Sequence, residues 1–80
     1  MSSAAGLHRV CVAGASGRMG QMLVEAVRSS GDCQLTGALD IPGSAMLSQD
    51  AAGFAGQASG VLITADLAQG LRGSQVLIDF

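Results

Sequence analysis

The stretch Val10-Cys11-Val12-Ala13-Gly14-Ala15-Ser16-Gly17-Arg18-Met19-Gly20 changes character in its middle, and that change decides the fold. Val10 to Ala13 is a short continuous apolar run, the pattern of a strand covered on both faces in a parallel sheet. Beyond it the period becomes helical. Met19, Met22, Leu23, Ala26 and Val27 draw one apolar stripe, with Gln21, Glu25 and Arg28 on the other face. Between strand and helix stand glycines at Gly-x-x-Gly-x-x-Gly spacing, where Gly-x-Gly-x-x-Gly is commoner. Gly14 lets the backbone turn sharply out of the strand, Gly17 leaves room for a pyrophosphate over the backbone amides, and Gly20 allows the helix to lie close on the strand. The unpaired amides of the helix's first turn, with the positive end of its dipole, then suit phosphate. Glycines also serve ordinary turns; their place directly after an apolar strand and at the start of an amphipathic helix is what points to a dinucleotide.

Working outward, Ser29 to Asp32 stops the helix, with Gly31 as its C-terminal cap. Gln34 to Leu39 reads as a second strand weakened by Gly37, and Asp40 stands at its end. Asp40 lies 20 residues past Gly20, where an acidic residue accepts hydrogen bonds from the adenosine ribose hydroxyls. The plainer alternative is a solvated carboxylate before the Pro42-Gly43 turn. Residues 41–60, rich in Gly, Ala and Ser, read as an extended loop with one helical turn at Ala45 to Leu47; loops of this length are usually functional or mobile. Val61 to Ile63 is a third strand, Asp66 caps a short helix ending at Leu71, kept short by Gly70 and Gly73, and Val76 to Ile78 is a fourth strand.

This alternation predicts an α/β fold: a Rossmann-type open parallel sheet, N-terminal half only, of about four strands with crossover helices, in the order 3-2-1-4. In such a sheet ligands bind outside the carboxyl ends of the first and fourth strands, where the chain reverses direction. Phe80 is then expected near Gly14, lining the cofactor crevice, although plain core is an equal reading of an aromatic at a strand end. His8, at the far end of the first strand, reads as surface. The chain stops where the next crossover helix would begin. Residues 1–80 are therefore expected to be the N-terminal part of a dinucleotide-binding domain, with the substrate and catalytic domain absent.

Composition narrows the classes. Of the 80 residues 49% are hydrophobic, with two Phe and neither Trp nor Tyr, an alphabet suited to close helix–sheet packing and poor for base stacking. Four basic residues against six acidic ones leave a net charge of −2, so the basic footprint of a nucleic-acid protein is missing. No stretch approaches the roughly 20 apolar residues of a membrane span, and residues 1–6 lack the apolar core of a secretory signal. Cys11 and Cys33 lack Cys-x-x-Cys spacing and read as two buried, reduced thiols rather than a disulfide or metal site. A cytoplasmic protein is expected, binding a small molecule and neither nucleic acid nor membrane.

Val12-Ala13-Gly14-Ala15-Ser16-Gly17-Arg18-Met19-Gly20 closely resembles the opening of bacterial dihydrodipicolinate reductase. The resemblance continues through Leu39-Asp40, Gly43-Ser44, Asp50, Phe54-Ala55-Gly56 and Ile78-Asp79-Phe80. It implies an enzyme of diaminopimelate and lysine biosynthesis that transfers hydride from NADH or NADPH to the cyclic product of dihydrodipicolinate synthase. It also implies a homo-oligomer, a tetramer. Carried over, Gly14, Ala15, Ser16, Gly17, Arg18 and Met19 form the dinucleotide loop and Asp40 binds the ribose. Two departures stand out. The family often places Arg after the acidic residue, against the 2′-phosphate of NADPH, and here Ile41 stands there; with Asp40 beside it and only Arg18 to compensate, a modest NADH preference is expected. The family's His-His pair and Lys, its substrate and acid residues, are absent, so no catalytic residue is expected in this chain and it should be inactive alone. A non-catalytic, redox-sensing dinucleotide module remains an alternative. So does another oxidoreductase with the same turn, such as a semialdehyde dehydrogenase, which would need a catalytic Cys elsewhere.

Overall fold

A computed structural model of the chain describes residues 8–79. Strand β1 (His8–Ala13) leads into helix α1 (Arg18–Ser29) and strand β2 (Cys33–Leu39). A long connection carrying one 3-10 turn at Gly53–Ala55 leads to β3 (Ile63–Thr64), helix α2 (Leu67–Leu71) and β4 (Val76–Ile78). The four strands form one parallel sheet in the order β3-β2-β1-β4, as the alternation predicts.

The register of β1 on β2 slips once. Val10 pairs Leu35 and Cys11 pairs Gly37, so Thr36 is an extra residue. Its hydroxyl donates to the Val10 carbonyl (3.3 Å) and shares a 2.7 Å hydrogen bond with Ser74. The bulge keeps side-chain alternation intact on both faces of the sheet. On one face Val10, Val12, Leu35, Ala38 and Ile63 form the core with Val24 and Val27 of α1. On the other, Gly37 meets α2.

The helix phase differs from the expected stripe. The buried residues of α1 are Gly20, Val24 and Val27, whereas Met19 and Met22 are 52% and 62% exposed and Ala26 is exposed too. The reason is steric. A Cβ on Gly20 would collide with the Gly14 carbonyl and the Ala15 backbone, so Gly20 has to be the face turned to the strand, which rotates the methionines outward. Gly37 and Gly70 repeat the device on the opposite face. A Cβ on Gly37 would strike the Gly70 carbonyl, and one on Gly70 would strike the Leu39 side chain. Gly37 is a close-approach residue and not merely a weak point in β2.

Three further expectations are corrected. Gly31 is not a left-handed cap; α1 ends at Ser30 in extended conformation, its amide donating to the Val27 carbonyl at 3.2 Å. The helical turn of the long connection falls at Gly53–Ala55, while residues 45–48 form plain turns. The third strand begins later, at Ile63, with Leu62 in an antiparallel bridge to Asp50. That connection is a loop, as expected, tied to the sheet by its backbone. Ser48 donates to the Ile63 carbonyl (2.8 Å), Ile63 to Gln49 (2.9 Å) and Ala51 to Val61 (2.8 Å). Residues 48–51 thereby cover the outer edge of β3, and Ala51 and Ala52 are buried. Asp66 caps α2 as expected, its carboxylate accepting from the Gln69 amide at 3.2 Å.

Asp50 holds the neck of this connection. Its carboxylate accepts from the amides of Ala52 (2.8 Å), Ser59 (2.9 and 3.1 Å) and Gly60 (2.9 Å) and from the Ser59 hydroxyl (2.7 Å). Burial pushes its pKa up, but these donors outweigh burial and hold it well below the ordinary carboxylate range. A lowered folded-state pKa gives stability that is complete above the unfolded value of about 3.9 and disappears as pH falls through the folded value. Asp50→Asn is expected to cost roughly 1–3 kcal/mol at neutral pH. In urea denaturation as a function of pH, the gap between variant and parent should close only in strong acid. Gly20→Ala should cost about 1–3 kcal/mol or more by overpacking. Gly31→Ala, where a Cβ meets nothing, should be neutral or stabilising by about 0.4–1 kcal/mol; equal effects in urea denaturation would contradict the packing account.

Candidate functional site

The turn between β1 and α1 is fixed from within. Gly14 has φ of 68°, a left-handed conformation that favours glycine. The Ala15 amide donates to the Leu39 carbonyl (3.0 Å), and the Gly17 amide to the Gly14 carbonyl (3.0 Å). Ala15 is buried in the core. Gly17 has φ −77° and ψ 168°, open to any residue, and a Cβ there would meet only the Gly14 carbonyl, at 3.4 Å. No described residue sterically requires glycine at this exposed position.

Gly17 caps α1 without any side-chain hydrogen bond, and no acidic residue sits in the first turn. The Gln21 amide is the first to find a helical acceptor, the Gly17 carbonyl at 2.9 Å. The amides of Arg18, Met19 and Gly20 therefore have no acceptor among the described residues. They stand at the positive end of a 12-residue helix, an arrangement suited to an anion. The side chains of Arg18 and Met19 are exposed, and Arg18 makes no ion pair with the described residues.

Asp40 follows β2, its amide donating to the Thr64 carbonyl at 3.0 Å. The half-buried carboxylate is clasped. Oδ2 accepts from the Ser16 amide (3.1 Å) and the Ser16 hydroxyl, with the Ser44 hydroxyl at 3.5 Å, and Oδ1 accepts from the Ile41 amide (2.8 Å). Burial acts to raise its pKa; the hydroxyl and amide donors prevail and lower it, so the group stays ionised at neutral pH. Ile41 is 69% exposed.

Ala13, Gly14, Leu39, Asp40, Ile41 and Asp79 line a groove of about 290 Å³ across the carboxyl ends of β1, β2 and β4. It sits where an open α/β sheet binds ligands. The structure brings Ser16 of the turn against Asp40; sequence reasoning names both but gives no role to Asp79 or Ser44. Asp79 was detectable as the residue ending the strand beside β1; Ser44 had no signal of its own. The pairing of β4 with β1 (Val10–Val76, Cys11–Leu77, Val12–Ile78) is as expected, while Phe80 lies outside the described residues. His8 is exposed at the opposite end. Cys11 is buried, its thiol pushed up by desolvation, and Cys33 is half-buried; both are free. The site offers amides for an anion, an ionised acceptor for hydroxyl groups, and an apolar wall between them.

Residues 8–80 match the family model described as dihydrodipicolinate reductase, N-terminus. The chain is 56% identical over 72 residues to 4-hydroxy-tetrahydrodipicolinate reductase of Herminiimonas arsenicoxydans, covering 90% of this chain and 27% of that protein. It is 56% identical over 71 residues to the enzyme of the same name from Cupriavidus taiwanensis, covering 89% of this chain and 27% of the relative. With that of Thiobacillus denitrificans it shares 50% over 72 residues, again 90% and 27%. The chain thus spans about a quarter of the length of the curated relatives it matches. With the glycine turn, the clasped Asp40 and the parallel sheet in place, the chain belongs to the dihydrodipicolinate reductase family.

Proposed function

We propose that this chain is the N-terminal, NAD(P)H-holding part of a reductase acting on the cyclic dihydrodipicolinate precursor in diaminopimelate and lysine biosynthesis. The observation that carries the reading is the helix end at Gly17: the amides of Arg18, Met19 and Gly20 have no acceptor among the described residues and stand beside a clasped carboxylate. The pyrophosphate is read onto the amides of Arg18 and Met19 over Gly17, with Gly14, Ala15 and Ser16 shaping the turn, and the adenosine ribose onto Asp40. Bound there, a reduced nicotinamide supplies a hydride. The residues described here bind and orient; those that hold substrate and deliver the proton belong to a further domain, so this chain alone is inactive. The reductase names of its relatives favour catalysis over a sensing module. No helix among the described residues is long and apolar enough to cross a membrane, and the reading is of a cytoplasmic homotetramer.

The same geometry favours NADH modestly. A 2′-phosphate seeks a guanidinium with charge-assisted hydrogen bonds. Asp40, held ionised, repels it, and exposed Ile41 offers no charge. Arg18, exposed and free of ion pairs with the described residues, recovers part of the loss. A net preference of about 1 kcal/mol or somewhat more, a factor of roughly 5–30, follows.

In the full-length protein, Gly17→Val should fold normally yet weaken NADH binding at least about tenfold, since the side chain fills the phosphate space; unchanged affinity would move the site elsewhere. Ile41→Arg should shift the kcat/KM ratio about tenfold toward NADPH. A parent enzyme with a clear NADPH preference would refute the charge argument.

A further inference from the structure

We infer that Ser16 is a positioning residue that acts through Asp40: it locks the carboxylate in one orientation and so sets the choice between a free and a phosphorylated ribose. The inference rests on the reading of Asp40 as the ribose group. Ser16 puts two donors on one oxygen, its amide at 3.1 Å and its hydroxyl, both on Oδ2. The turn carrying these donors is anchored on both sides, by Ala15 N to Leu39 O and by Gly17 N to Gly14 O, each 3.0 Å. The Gln21 side chain adds a 3.4 Å hydrogen bond to the Ser16 carbonyl. Ser44 closes the ring, its hydroxyl 3.4 Å from that of Ser16 and 3.5 Å from Oδ2, while it also accepts from the Met46 amide at 3.1 Å.

A carboxylate offers about four acceptor positions. Those of Oδ2 are filled by the ring, and one on Oδ1 is taken by the Ile41 amide at 2.8 Å. One acceptor remains. That suits a sugar hydroxyl, which brings a proton to donate. A 2′-phosphate brings charge and no donor, and fits only if the carboxylate swings aside, breaking two hydrogen bonds from a turn that does not move with it. Ser16 thereby links the two ends of the ligand: the residue that begins the anion-binding turn also aims the hydroxyl-binding group.

Fluorescence titration of the full-length protein with NADH and with NADPH tests this. Ser16→Ala should weaken NADH about 5- to 10-fold, the net worth of one charge-assisted bond, and leave NADPH unchanged or tighter. Ser16→Thr, which keeps the hydroxyl, should restore the ratio. In an Asp40→Ala background, Ser16→Ala should have no further effect on the ratio. Equal weakening of both cofactors by Ser16→Ala, or a ratio change that persists without Asp40, would overturn the inference while leaving Asp40 on the ribose. If Asp40→Ala moves neither affinity, the ribose reading itself falls, and this inference with it.

Discussion

The Gly14 carbonyl occupies the space that any side chain on residue 20 would need, and the rest of the structure is arranged around that exclusion. It brings the first turn of α1 against the end of β1, so the helix's free amides emerge beside the carboxyl ends of the strands. It also fixes which face of α1 is inward, placing Val24 and Val27 on Val10, Val12 and Leu35. On the opposite face Gly37 and Gly70 enforce a second close contact, backbone to backbone. A sheet gripped this tightly has little room for aromatic side chains, and a composition of small aliphatic residues follows from the packing.

The apolar runs of β1 and β4 and the capped α2 were legible because each rests on local chemistry, run length and an Asp at a helix start; the sheet order was legible from the strand–helix alternation of a doubly wound sheet. The face of α1 was not. Five apolar residues at helical spacing put Met19 and Met22 on one stripe with Val27, whereas the structure turns inward Gly20, a residue with no side chain. Hydrophobic periodicity counts apolar surface, and a glycine contributes none, yet it decides the phase. Residues 41–60 form the expected loop with one helical turn, but the turn's place and the loop's attachment to β3 left no sequence signal, for a related reason. Ala51 and Ala52 bury little area each, and the hydrogen bonds that bind residues 48–51 to β3 are made by backbone, which leaves no imprint on side-chain pattern.

At the site, the turn and Asp40 were legible as separate features and their joining was not. The Ser16–Asp40 contact spans 24 residues, beyond any spacing rule. The joining also redistributes the labour expected of the loop. The amides of Ala15, Ser16 and Gly17 are used internally, on Leu39, Asp40 and Gly14. The donors left for an anion are those of α1 itself. The glycine turn is less a cradle than a rigid mount for a helix end.

That division orders the charges along the groove. Its described ionisable side chains are the carboxylates of Asp40 and Asp79, an unwelcoming lining for a ligand built around a pyrophosphate. The positive end of α1 is the compensating field, and it falls off within about one helical turn. A dinucleotide laid across the strand ends is therefore constrained in direction as well as in place. On the proposed reading its charged centre lies over Gly17 and the first turn, and its neutral hydroxyls lie against Asp40, which accepts from donors of the same turn. Reversal or a shift along the groove sets phosphate against carboxylate and leaves the helix amides unpaired. Both errors carry a cost, so on that reading the charge order along the groove sets the ligand's orientation as well as its place.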